Sequence, residues 1–266
     1  MLISRIFSAF FMLLVFLSAM FLFSGRFFSF FIYIVAMLAL YEWSKLLYFK
    51  SYEKKIFLLL SFILIYLIDN YLSTSITKII LIGASIFWIV IAPLFLIFKI
   101  SLKSFFTKTT IGWILVIPLI ISLISLMQLS PLAALLILIA IWLADSSAYF
   151  FGKYFGRTKL VQSISPGKTW EGFIGALFVV SLFSVAMVYF KFINSYTSIL
   201  FFNLILILSV EGDLFESYIK RMANVKDSGN LIPGHGGVLD RIDSLCSSLP
   251  LATLILYSTS FFGKII

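Results

Sequence analysis

The sequence predicts an all-α protein, a polytopic integral membrane bundle of about nine transmembrane helices, amino terminus inside and carboxyl terminus outside. Three observations predict it. The mean hydropathy is +1.14, with 62% hydrophobic and 12% charged residues, whereas soluble chains carry about 25% charged. The apolar residues fall into nine runs near the roughly 20 residues that cross a hydrocarbon core. Lysine and arginine concentrate in the loops of one side, which orients the chain. With 31 phenylalanines in 266 residues, the apolar surface exceeds what a water-soluble core hides, and a bilayer is the solvent that accepts it.

The runs, in order, are Ile6–Phe23, Phe27–Tyr48, Ile56–Leu72, Ile79–Phe98, Ile111–Met127, Pro131–Phe150, Glu171–Ile193, Thr197–Phe215 and Ser244–Phe262. Arg5 ahead of the first run resembles the start of a signal peptide. No convincing small-x-small site follows, so the run is expected to be a retained helix. Neither an internal repeat nor a linker is visible. The expected organisation is a first group of scaffold helices over residues 1–78, a second over 79–128, and a catalytic region over 129–266.

Charge supports this division. Of the 20 lysines and arginines, only Arg26, Lys78, Lys191 and Lys264 fall on one side of the nine-span arrangement, and the other sixteen on the opposite side. The cationic side is expected to be the cytoplasm, because inward loops retain Lys and Arg. The formal charge of +9 forms no continuous stripe, so it argues for headgroups and anionic substrates rather than nucleic acid. Eight of the eleven acids stand at or after Asp145, which makes the last four spans the working part and the first five the scaffold. Asp69, near an outer helix end, reads as a hydrated or snorkelling carboxylate. Cys246 is the only cysteine; it excludes an intramolecular disulfide and reads most simply as a packing residue.

Four polar stretches interrupt the oily sequence. Asp145 opens DSSAYFFGKYFGRTKL, with Lys153, Arg157 and Lys159 behind it; its lysines suit a headgroup anchor, but a carboxylate near lipid is costly unless paired. SPGKTWEG, Ser165–Gly172, brushes against the phosphate-loop pattern, but Gln162 stands where its first glycine is required and no strand is expected before it. What remains is a Pro-Gly turn that brings Lys168 and free N–H groups to a helix start, with Glu171 in the first turn suited to the helix dipole.

From Glu211 to Arg221, a continuing helix places Asp213, Ser217 and Lys220 on one face with Arg221 beside them. Glu216 with Lys220 also fits a plain intrahelical pair. PGHGGVLDRID follows. Pro233, Gly234, Gly236 and Gly237 favour a loop whose amides approach an anion closely. Asp240 and Asp243, three apart, would aim to one side. Paired oxygen ligands suit Mg²⁺ with substrate phosphates; the plainer alternatives are helix capping by Asp243 or Ser244 and an Asp240–Arg241 pair. His235, the only histidine, does not make a zinc site alone. Mixed cations, carboxylates and glycine turns suit phosphate chemistry, in which positioning and charge neutralisation do most of the work.

The run from Ser217 through Lys220, Arg221, Lys226, Asp227, Gly229, Pro233, His235, Gly236, Gly237, Asp240 and Arg241 to Asp243 resembles the full signature of the phosphatidate cytidylyltransferases. The stretches opening at Asp145 and Ser165 are similar to segments of that family. The resemblance implies a reaction of CTP with phosphatidic acid to CDP-diacylglycerol and pyrophosphate, in a multi-pass homodimer of the inner membrane with its site facing the cytoplasm. On that reading Asp213, Asp240 and Asp243 hold Mg²⁺ (Mn²⁺ being the alternative), with Asp145 for a second cation. Ser217, Lys220, Arg221, Lys226, Asp227, His235 and Arg241 serve the reaction, while Arg157, Lys168, Gly236 and Gly237 bind substrate. Two other readings compete: a CTP-dependent polyprenol kinase, which releases CDP, and an ion or solute transporter, which an inverted repeat would have favoured.

Overall fold

The computed structural model describes residues 2–23, 25–232, 234 and 236–258, for residues 2–9 the backbone only. Pro233 and His235 thus lie outside the described residues, as does Lys264. The elements are α1 (Leu2–Phe21), α2 (Gly25–Leu46), α3 (Ser51–Tyr71), α4 (Thr74–Phe98), α5 (Phe105–Leu129), α6 (Pro131–Phe155), β1 (Lys159–Val161), β2 (Ser165–Thr169), α7 (Trp170–Tyr189), α8 (Ser198–Met222) and α9 (Leu239–Ser258). Each apolar run has become a helix, the form in which a chain in lipid pairs its own backbone groups. Among the described residues six helices, α2 and α4 to α8, are long and apolar enough to cross a membrane. The charges at the ends of α3 and the start of α9, such as Lys54, Asp69 and Asp240, dilute those two runs.

Helix starts follow local chemistry. Ser73, Ser104, Ser130 and Thr169 each accept the N–H three residues on, at 3.1–3.3 Å, which satisfies one of the free amides of a first turn. Pro131 occupies the position after Ser130, where its missing N–H costs nothing. In α4 a π turn, Phe87–Ile91, ends two residues before Pro93. There Phe87 and Trp88 meet Phe215 of α8 edge-on at 5.8 and 5.5 Å between ring centres.

All the polar connections that carry the site meet at one end of the bundle. The Trp43 indole N–H donates to Lys108 O at 2.8 Å, and Lys108 Nζ donates to Leu47 O at 2.7 Å. Tyr218 donates to Ile100 O at 2.9 Å, and Tyr48 to Ala223 O at 3.0 Å. These bonds join the end of α2 to the start of α5 and to the end of α8, and α8 to the loop after α4. They are the loops in which the sequence gathers its basic residues.

Three expectations change. The fold is not purely helical: Lys159–Val161 and Ser165–Thr169 form a short antiparallel hairpin, so the segment read as a Pro-Gly turn is a strand, preceded by another. Pairing satisfies backbone groups that a bare turn at a membrane surface leaves open. Asp69 is not simply hydrated, because Tyr33 of α2 donates to its Oδ1 at 2.6 Å. α9 also starts at Leu239, five residues before the expected Ser244, for a reason found in the site.

Candidate active site

Two helix ends build the site's floor. α8 and α9 approach so closely at Gly212 that a Cβ there would strike the Asp243 carbonyl oxygen and the Ser247 hydroxyl. Only glycine permits this approach, and it sets Asp213 of α8 against Asp243 of α9. The two carboxylates interact electrostatically, and Asp145, from α6, joins both. Lys168, at the end of β2, reaches the same place: its Nζ lies 2.7 Å from Asp213 Oδ2 and 3.2 Å from Val210 O. Ser217, one turn along α8, donates to Asp213 Oδ1 at 3.2 Å. Arg241 adds a second cation within electrostatic range of Asp145. Three carboxylates and two cations from four elements thus share one patch, and Asp145 is exposed within it.

Asp240 does something else. Its Oδ1 pairs with Lys220 Nζ at 2.7 Å, and Lys220 also meets Glu216 Oε2 at 2.8 Å. Its Oδ2 accepts Ser228 N at 2.9 Å, Ser228 Oγ at 2.9 Å and Gly237 N at 2.8 Å. Gly236 has a φ of +83°, and a Cβ there would come 2.7 Å from that same oxygen. The carboxylate is therefore the peg on which the glycine loop is wound.

Beside it lies Glu42 of α2, 1% exposed. Its Oε2 accepts Leu239 N at 2.9 Å and Ser228 Oγ at 3.4 Å, while Oε1 is buried without a hydrogen-bond partner. Gly229 and Gly237 lie against its carboxylate, where a Cβ would collide. Glu42 thus takes up the first N–H of α9, which helix geometry leaves unpaired, and Asp240 takes up those of the loop before it. That is why α9 can begin at Leu239.

A profile of the Cytidylyltransferase family matches residues 3–259. The chain belongs to that family. It is 32% identical over 272 residues to the phosphatidate cytidylyltransferase of Pseudomonas aeruginosa, covering 98% of this chain and 99% of that one. The enzyme of the same name from Haemophilus influenzae is 34% identical over 281 residues, covering 94% and 96%. That of Staphylococcus aureus is 50% identical, but over 119 residues, 44% of this chain and 45% of the relative.

Within this family member the residues expected at the site fall into distinct places. Asp145, Lys168, Asp213, Ser217, Arg241 and Asp243 come together. Lys220 and Asp240 are partners in the support beneath the glycine loop, and Glu216, which holds Lys220, lies within electrostatic range of both Asp240 and Asp243. The Asp240–Arg241 pair gives way to Asp240–Lys220. Arg221, exposed, holds Ile164 O and Val225 O at 3.4 Å and so ties the hairpin to the end of α8. Arg157, Lys226 and Asp227 are exposed around the rim, and Gly236 and Gly237 form the loop. His235 lies outside the described residues. Glu171, expected at the helix dipole, accepts Thr158 N with both oxygens at 3.1 and 3.2 Å; Thr169 is the cap.

No three carboxylate, histidine or cysteine groups among the described residues form a ready metal cage. Magnesium does not require one, since it takes one or two protein carboxylates together with substrate phosphates and water. Asp213 and Asp243, with Asp145 near, are hard oxygen donors of that kind; Asp240 holds Lys220, Ser228 and Gly237, as Asp213 holds Lys168 and Ser217. Sequence reasoning passed over Glu42. Its signal was a single carboxylate close to the end of an otherwise apolar helix, which lipid tolerates only where the group has partners.

Proposed function

We propose that the chain transfers the cytidylyl group of CTP to phosphatidic acid, releasing pyrophosphate and leaving CDP-diacylglycerol in the membrane. The observation that carries this reading is the meeting of Lys168, Asp213, Asp145, Asp243 and Arg241 at one end of a membrane bundle. It is an arrangement of alternating charge suited to a polyphosphate and a lipid phosphate at once, in a chain whose family transfers cytidylyl groups.

A phosphatidate oxygen attacks the α-phosphorus of CTP, and the bond from that phosphorus to the bridging oxygen of pyrophosphate breaks. The attacking phosphate is ionised near neutral pH, so no strong general base is needed. Catalysis then rests on placement and on charge held ready in a site of restricted water. Lys168 is oriented by Asp213 and Val210 O, so its ammonium is fixed before substrate arrives. Arg241 offers a planar fork to a phosphate. The glycine loop, held by Asp240 and Glu42, presents backbone N–H groups, and Arg157, Arg221 and Lys226 draw anions toward the rim. Asp213 and Asp243, with Asp145 near, would hold magnesium, which would supply positive charge against that of the phosphates. Manganese would serve in its place, and Asp145 would favour a second cation.

The site lies on the cytoplasmic face of the inner membrane in a nine-span topology, amino terminus inside and carboxyl terminus outside. Support for this is the gathering of sixteen of the twenty basic residues on the site's side of the arrangement. The homodimer is carried by family resemblance. Incubation of the purified protein with base-labelled CTP, phosphatidic acid and Mg²⁺ tests the reaction. Cytidine label is expected in the lipid phase with pyrophosphate in the water phase. Release of CDP with no label in lipid would make it a kinase.

A further inference from the structure

Next to the charged patch lies a cavity of about 490 Å³ enclosed by α1, α2, α5, α6 and α9. Phe16, Phe31, Leu123 and Trp142 are among its walls, and Ile232 and Val238 border it from the glycine loop. Its size is that of a ligand pocket, about 300–1,000 Å³. Arg241 is the one charged residue among its described lining residues. The same guanidinium interacts with Asp145, so a single side chain borders both an apolar cavity and the carboxylates of the site.

We propose that this cavity takes an acyl chain of phosphatidic acid while Arg241, at its polar edge, pairs with the lipid phosphate. The inference rests on the proposed reaction and adds the place where the lipid sits. Charge selects the occupant. A guanidinium forms its best bonds with an anionic phosphate carrying free oxygens, and phosphatidic acid presents that group with nothing esterified beyond it. Phosphatidylcholine, with the same tails, shields its phosphate with a cationic headgroup. A chain held between α1 and α2 on one side and α5 and α6 on the other leaves the phosphate at the start of α9. That is where Asp145, Asp213 and Asp243 meet.

Wild-type protein in phosphatidylcholine nanodiscs, photolysed with phosphatidic acid carrying a diazirine at the end of one chain, gives a direct reading. Label is expected on Phe16, Phe31, Leu123 or Trp142, suppressed by excess dioleoyl phosphatidic acid and not by equal phosphatidylcholine. Label confined to outward residues such as Phe30, or suppressed equally by both lipids, overturns the assignment. Ala36 also lines the cavity. Ala36→Phe and Leu123→Trp, which fill it, should lower the ratio of turnover on dioleoyl to dihexanoyl phosphatidic acid by about fivefold or more; an unchanged ratio in active variants counts against it. Transfer of cytidine label to lipid by the wild type, with photolabel outside the cavity, sinks this proposal alone. Absence of any such transfer sinks the proposed reaction, and the photolabel still decides the cavity.

Discussion

The Glu42 carboxylate accepts the backbone N–H of Leu239 at 2.9 Å, across 197 residues of sequence. One helix of the scaffold thereby fixes where α9 begins, and with it the height at which Arg241 and Asp243 leave the helix. Glu42→Ala removes the acceptor and leaves the Leu239 N–H unpaired inside the protein, while Ser228 keeps its bonds to Asp240. It is expected to lower turnover about tenfold, ~1.4 kcal/mol of barrier, and to lower the unfolding temperature in detergent. Glu42→Gln keeps a carbonyl oxygen for Leu239 and should recover most of the rate. A glutamine variant as slow as the alanine variant would show that the charge, and not the acceptor, is what matters.

On the proposed reaction, magnesium titration should divide the carboxylates into two groups. Asp213→Asn and Asp243→Asn are expected to raise the half-saturating Mg²⁺ by about tenfold or more, since each removes one of the one or two carboxylates the ion uses. Asp240→Asn should instead destabilise the protein by about 3 kcal/mol, the cost of breaking a buried ion pair, because Lys220 loses one partner and the glycine loop its peg. Its residual activity should show the wild-type Mg²⁺ dependence. A shifted Mg²⁺ curve in Asp240→Asn with unchanged unfolding would reverse the assignment.

The contacts of Asp240 with Lys220 and the loop amides were hidden from the sequence for a physical reason. A spacing of three residues puts side chains on one face only within a regular helix, and Asp240 lies in the first turn, where free N–H groups of the preceding loop compete for it. Asp213, Ser217 and Lys168 were legible because a helix already formed at Ser217 preserves its spacing, and because a lysine flanked by a polar segment had no apolar use. The helices of the described residues were legible because apolar length decides them in lipid. The hairpin was not: three residues paired with five carry too little periodicity to separate a strand from a turn. Glu42 was legible only as an anomaly, since its partners lie in a loop nearly two hundred positions away.

Gly212 sets the distance between α8 and α9. Gly212→Ala introduces a Cβ onto the Asp243 carbonyl oxygen and Ser247 hydroxyl. Over-packing of this kind costs about 1–3 kcal/mol, because backbone cannot swing aside as a flexible side chain can. Turnover should fall further than stability accounts for, as Asp243 moves relative to Asp213. The check is a comparison of thermal unfolding with rates measured well below the transition. Loss of stability with an unaltered rate would place Asp243 outside the reacting site.

The proposed orientation makes a prediction independent of the chemistry. Cys246 is the only cysteine and is buried, so a Cys246→Ser background carries no other thiol. Ser163 in the hairpin and Lys191 after α7 are both exposed, and the twenty residues of α7 lie between the hairpin and the second loop. That length spans about 30 Å at 1.5 Å per residue, one hydrocarbon thickness. In right-side-out vesicles a membrane-impermeant maleimide should therefore modify Lys191→Cys and spare Ser163→Cys, with the pattern exchanged in inverted vesicles. If both positions react from one side, α7 does not cross. The basic loops would then no longer share a face, because every helix after α7 inherits its direction from that crossing.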